Sequence, residues 1–335
     1  MAPNQLAGGT MELDLIVFIK CSGPNARGDN LTDTILSFAK KNKDTKYGFY
    51  ITVDPHMEST VEKIFKNQEN RGFLGSESLL ELRVSQKSWA IDFNEFFQEY
   101  QEKTRWILVS HDDVEYLTDD YFNKIVQSLG DHVDKVGWVT STSNYYVEIE
   151  GKVLTDTFRA GSYKDFRNWG AMFHLHRMSH LKHSPSYLVK QSTHLLDYPA
   201  SPVKVHGIMS AVMLVSVESL KKIGYCQDWT KYTMLIDEDW SLEALKNNLI
   251  NVWVPSVFHL HPNRRSLRKA NNRWVNDAQE GMLKKWGFNT GNPNTTGWAQ
   301  GVSIPLEELR NMYKNTNIPW SSYRNSYDWE YLDDE

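Results

Sequence analysis

Short apolar runs alternate along the first half of the chain with stretches in which apolar residues recur every three or four positions. Residues 13–19 form a β-branched run that predicts a strand, and a loop rich in Gly, Pro and Asn follows from 21 to 30. A helix from about Leu31 sets Leu31, Ile35, Phe38 and Ala39 on one face. Residues 47–53 predict a second strand ending in Asp54-Pro55, and Val61, Ile64 and Phe65 mark a helix. Residues 79–84 predict a third strand, and Phe93, Phe96, Phe97 and Tyr100 a third helix. Trp106-Ile107-Leu108-Val109 then reads as a strand that stops abruptly in Ser110-His111-Asp112-Asp113. Continuous apolar strands separated by helices belong to a sheet buried on both faces. The expected fold class is therefore α/β, an α/β/α sandwich with a mostly parallel central sheet.

Further along, Thr118 reads as an N-cap with Asp119 and Asp120 in the first turn, and Gly130 as the end of that helix. Residues 136–140 predict another strand. From 141 to 204 the alternation is lost: 145–158 reads as a hairpin about Glu150-Gly151, and the rest has no clean period. This segment is expected to be an insertion that shapes a pocket. Regular structure returns with a strand at 209–216, a helix at 217–223 closed by Gly224, a helix at 237–247 capped by Asp237, and a strand at 250–254 stopped by Pro255. The tail is polar and irregular, with an amphipathic helix about Leu306, Leu309 and Met312. The expected division is a flexible leader 1–11, a first half 12–140, the insertion 141–204, a second half 205–262 and a C-terminal extension 263–335.

Composition narrows the function. The 335 residues are 40% hydrophobic, enough for a large core, and the net charge of −5 lacks the basic footprint of a nucleic-acid binder. No run is long enough to span a membrane, and the N-terminus lacks a signal-peptide pattern. Cys21 and Cys226 are too few for a disulfide framework, so a reducing, cytoplasmic location is expected, with peripheral membrane attachment left open. The 12 Trp and 16 Tyr suit stacking on sugars and bases as well as core packing.

Three stretches carry chemistry. His111-Asp112-Asp113 ends a strand where open α/β sheets present ligands. Neighbouring carboxylates stay ionised beside a cation, and Mg²⁺ or Mn²⁺ carrying a phosphate is the natural partner, although a plain turn uses the same residues. Asp237-Glu238-Asp239 opens a helix whose dipole keeps carboxylates ionised, as a general base requires and as ordinary helix stabilisation also does. His259 and His261 share one face of an extended segment, so both or only one of them would reach a metal. Arg264 and Arg265 follow, fit to fold over a diphosphate or to remain a solvated loop. In the insertion, His174, His176, His180 and His183 are joined by no Cys or acidic cluster of the kind zinc sites use. Tyr145, Tyr146, Phe158, Trp169, Phe173 and Tyr187 are candidates for an acceptor platform or for core.

In their order and spacing, Asp54, His111-Asp112-Asp113, Glu238-Asp239 and Val254-Pro255 leading to His259 and His261 resemble the landmarks of family 2 glycosyltransferases of the GT-A fold, over roughly residues 13–262. The resemblance implies that Asp54 binds the base or ribose of a nucleotide and that Lys20 and Cys21 border its pocket. It implies that Asp113, beside Asp112, is the last acid of an Asp-x-Asp motif holding Mn²⁺ or Mg²⁺ against the donor's diphosphate. His261, or failing that His259, would complete the metal site, and Asp239 would deprotonate the acceptor in inverting transfer. The implied activity moves a sugar from a UDP- or GDP-sugar to a glycan hydroxyl, a step of carbohydrate biosynthesis. His111 stands where the motif often has its first acid, Ser241 stands where a further acid follows the Glu-Asp pair, and the insertion is long for the family. A nucleotidyltransferase and a non-catalytic nucleotide- or carbohydrate-binding protein are the rival readings.

Overall fold

The computed structural model describes residues 13–22, 28–69, 79–149, 152–160, 201–205, 208, 211–229, 236–261 and 272–286. The first four apolar runs are strands β1 (Leu13–Cys21), β2 (Tyr47–Val53), β3 (Leu79–Val84) and β4 (Thr104–Ser110). Between them lie helices α1 (Gly28–Lys41), α2 (Glu58–Glu69) and α3 (Trp89–Tyr100). There follow β5 (Glu115–Tyr116), α4 (Tyr121–Leu129), β6 (Val136–Ile149), β7 (Lys152–Ala160), β8 (Val203–Val205) and β9 (Val212–Ser216). The last described elements are α5 (Val217–Ile223), α6 (Ile236–Lys246), β10 (Ile250–His261) and α7 (Asn272–Trp286).

Ten strands form one sheet in the order β3-β2-β1-β4-β9-β6-β10-β5, with β7 paired to β6 and β8 to β10. β1 is parallel to β2 and β4, and β2 to β3. β9 runs against both β4 and β6, and β6 is parallel to β10. β1, β2, β3, β4, β6 and β10 therefore all point one way. Their carboxyl ends share one edge.

Two apolar layers flank the sheet because successive side chains of each strand point to opposite faces. Leu15, Val17 and Ile19 pack with Leu31, Ile35 and Phe38 of α1 and with Phe122, Ile125 and Leu129 of α4. Ile16 and Phe18 pack with Trp89, Phe93 and Phe96 of α3, Leu220 of α5 and Trp240 of α6. This double burial is what makes the strands read as unbroken apolar runs.

Several local expectations are corrected. Pro255 does not stop its strand: β10 continues to His261, and its register against β6 slips between Val254 and Phe258. Pro lacks an N–H, and a bulge is the place in a sheet where that costs no ladder bond. Thr118 does not cap α4; its Oγ1 accepts from the Phe258 N–H at 2.8 Å, and the helix starts at Tyr121 after Asp120 in the left-handed region. Asp237 lies inside the first turn of α6 rather than at its cap. The 209–216 strand begins only at Val212. β6 runs through position 140 without a break, whereas the hairpin expected about Glu150-Gly151 is borne out as the antiparallel pair of β6 and β7, Ile149 opposite Lys152. The tail is not wholly irregular, since α7 occupies Asn272–Trp286. Gly281 interrupts its helical pattern; a Cβ there would stand 2.5 Å from the Trp229 ring, so close packing excludes a side chain. The leader, the histidines from His174 to His206 and the helix about Leu306 lie outside the described residues. So do the side chains of the aromatic acceptor set.

Lys20, near the end of β1, is buried in an ion pair. Its Nζ donates to the buried carboxylate of Asp92 in the first turn of α3 and to the Lys87 carbonyl at 2.9 Å. Ser85 Oγ donates to the other Asp92 oxygen at 2.7 Å. Removing one member of such a pair strands the other charge in the interior. Asp92→Ala is expected to lose about 3–5 kcal/mol in urea denaturation, and the double variant Lys20→Met/Asp92→Leu to recover most of it.

Candidate functional site

β4 delivers His111 to the carboxyl edge of the sheet, where the His111 N–H donates to the Ala211 carbonyl just before β9 at 3.0 Å. The chain then turns through Asp112 and Asp113 into β5, which pairs antiparallel with the far end of β10, Tyr116 opposite His259. This short pairing carries the loop past the ends of β9 and β6. It brings His261, the last residue of β10, to the end of β4. The turn is braced by Tyr116, whose OH donates to Ser110 Oγ at 2.8 Å, and by Ser110 Oγ, which donates to the His111 carbonyl at 2.9 Å.

His261 Nε2 lies 3.1 Å from Asp113 Oδ1 and 3.2 Å from His111 Nδ1. Ligand atoms of His111, Asp113 and His261 all fall within 4.8 Å of one another. Two ligands bonded at about 2.1 Å and at right angles to one ion stand about 3.0 Å apart, so the spacing fits a shared cation. Two imidazoles with one carboxylate suit Mn²⁺, Fe²⁺ or Zn²⁺ better than Mg²⁺, which prefers oxygen alone. Three protein ligands also leave coordination positions for a bound ligand.

Three carboxylates surround the end of β1. Asp54, Asp112 and Asp113 all act on Cys21, whose thiol is pushed far up, first by burial and then by Asp112. Kept neutral, the thiol hydrogen-bonds the Asp112 carboxylate. Asp112 itself is pushed up to about 6, first by desolvation and then by Asp113, against opposing pulls from the Cys21 hydrogen bond and from His261. Asp54 follows β2 directly and starts a single turn, Pro55–Met57, with its carbonyl accepting from the Met57 N–H at 2.9 Å. The structure thus gathers Cys21, Asp54, His111, Asp112, Asp113 and His261 at one edge. Lys20 turns away from them.

His259 and His261 share a face, yet only His261 joins the cluster. His259 is buried, with Nδ1 2.6 Å from Ser141 Oγ, which in turn lies 2.5 Å from the Tyr121 OH. Asp239, in the first turn of α6, is 1% exposed. Trp286 Nε1 donates to its Oδ1 at 2.7 Å and Lys285 Nζ lies 2.7 Å from the same oxygen, both from α7. Sequence reading missed Lys285 and Trp286 because no motif or period joins them to a residue 46 and 47 positions earlier. Arg264 and Arg265 lie outside the described residues, as does the side chain of Glu238.

Two predictions follow from this geometry. Mn²⁺ is expected to bind and to raise the melting temperature of the wild type; His261→Ala abolishes binding in calorimetry, whereas His259→Phe keeps it and loses about 1–3 kcal/mol of stability. In metal-free protein, a carboxyl held near 6 contributes stability that is full below about pH 4 and lost as pH rises through about 6. Asp112→Asn is therefore expected to stabilise the chelator-treated protein by about 2 kcal/mol at pH 7.5 relative to its effect at pH 4, measured by urea denaturation.

No family model and no curated protein matches the chain. Among solved structures it is similar to the crystal structure of GalNAc-T7 with UDP, GalNAc and Mn²⁺, at a TM-score of 0.50 and 11% identity. The match covers 75% of this chain and 43% of that one, so the chain spans less than half of that protein's length. At this identity the likeness is one of fold. With the strand order above, it makes this chain an α/β/α sandwich of the GT-A type.

Proposed function

We propose that the chain is a metal-dependent glycosyltransferase, similar to family 2 enzymes, that moves a sugar from a nucleotide diphosphate sugar to a glycan hydroxyl with inversion. The observation that carries this reading is the meeting of His111, Asp113 and His261 at the carboxyl edge of the sheet, beside Asp54 and Asp112. A cation in that triad would neutralise the charge that develops on the leaving diphosphate. His111, Asp113 and His261 are the residues to hold it, with Mn²⁺ favoured by the two imidazoles. Asp54, at the end of β2, is assigned to the ribose or base, and Arg264 and Arg265 to the diphosphate. Asp239, next to Glu238 in α6, is assigned the acceptor's proton. UDP is the first nucleotide to try because GalNAc-T7, with which the fold is shared, was crystallised with UDP and Mn²⁺.

A second reading, a nucleotide-binding protein without turnover, draws on the burial of Asp239 under α7. It predicts that Asp239→Asn changes nothing that a ligand assay can measure. A nucleotidyltransferase would instead release pyrophosphate from a nucleoside triphosphate.

A thermal-shift panel of UDP- and GDP-sugars with and without Mn²⁺ tests the proposal. One nucleotide sugar at about 100 times its Kd is expected to add about 2.7 kcal/mol of stability only with the metal, and to lose that effect in Asp113→Ala. No stabilisation by any nucleotide would overturn it. With the donor in hand, Asp239→Asn is expected to lower turnover by about 10²- to 10⁴-fold while donor stabilisation persists.

A further inference from the structure

We infer that α7 belongs to the catalytic unit: Lys285 and Trp286 both hold Oδ1 of Asp239 and so fix the orientation of its carboxylate, which makes both of them positioning residues for transfer. The inference rests on the assignment of Asp239 as the base.

Both contacts from α7 end on Oδ1, the indole N–H at 2.7 Å and the ammonium at 2.7 Å. Among the described residues no hydrogen bond reaches Oδ2. A general base needs a fixed orientation, a negative charge at working pH and one open acceptor position. The grip on Oδ1 supplies the first and occupies only one of the two carboxylate oxygens. Burial holds the Asp239 carboxyl above its ordinary range, and the ammonium of Lys285, with the indole, pulls it part of the way back toward the second. The other groups facing this carboxylate are Glu243, one turn along α6, and the buried Cys226 thiol, itself pushed up by burial and by Asp239.

The rest of α7 is built to hold that grip in place. Ala278, Met282 and Trp286 recur every four residues and are all buried, so one stripe of the helix is docked. Gly281 lets the helix approach the Trp229 ring closely. Lys285 also bridges to Glu243 at 2.8 Å, so one ammonium answers two carboxylates at i and i+4 of α6. Lys246 lies 5.7 Å from the centre of the Trp286 ring, which stacks a second cation against the clamp.

The test is steady-state kinetics of the full chain, with Lys285→Met, Lys285→Arg and Trp286→Phe beside Asp239→Asn. Lys285→Met is expected to lower kcat about ten- to hundred-fold with donor KM within about twofold, and to move the acidic limb of the kcat profile upward by roughly one pH unit. Lys285→Arg restores most of kcat. Trp286→Phe lowers kcat with a smaller shift of the limb, so it and the Arg variant carry the test should Lys285→Met fail to fold. Folded Lys285→Met and Trp286→Phe proteins with wild-type kcat and limb would overturn the clamp while an inactive Asp239→Asn leaves the proposed base standing. Full turnover in Asp239→Asn would remove the base, and the clamp with it.

Discussion

Three carboxylates crowd the end of β1, and the chemistry at this edge depends on what neutralises them. Asp54, Asp112 and Asp113 all bear on Cys21, and Asp112 is held well above the ordinary carboxylate range. Repulsion of this kind is tolerated where a cation is to be received. Lys20, the nearest basic residue in sequence, is committed to Asp92 on the other side of the sheet. The imidazoles of His111 and His261 stand where a shared ion would draw the charge of Asp113 into coordination.

The fold explains how residues 150 positions apart meet there. Six strands run in one direction, and β9, reversed between β4 and β6, separates the two groups. β5 spans that gap by pairing with the end of β10, so His111, Asp113 and His261 come together across the reversed strand. On the opposite face of the sheet, α6 carries Trp240 into the core and Asp239 toward α7. The C-terminal extension therefore reaches the second group of carboxylates, those of α6. In the account proposed here one end of the reaction, the leaving group, is served by strand ends, and the other, the nucleophile, by a helix that α7 clamps.

Much of the sandwich was legible because strands buried on both faces must be apolar throughout, as β1, β2 and β4 are. The abrupt polar stop at His111-Asp112-Asp113 marked the site for the same reason. The choice between His259 and His261 was not legible, since both occupy one face. It is decided by the bulge at Pro255 and by the pairing of β10 with β5, neither of which has a local signature. The ion pair of Lys20 was not legible because its partner lies 72 residues away, and a buried pair leaves no trace in the neighbourhood of either member. α7 was missed for a different reason. Gly281 and the pair Lys284-Lys285 weaken its apolar period, yet Gly281 allows close packing against Trp229 and Lys285 makes the contact with Asp239.

The most direct test of the central claim is a crystal structure of the protein grown with Mn²⁺ and UDP, with anomalous data collected at the manganese edge. The account predicts a single strong anomalous peak within bonding distance of His111, Asp113 and His261, with diphosphate oxygens completing its coordination and the nucleoside lying toward Asp54. A peak elsewhere, or a nucleotide bound away from the carboxyl edge of the sheet, would contradict it.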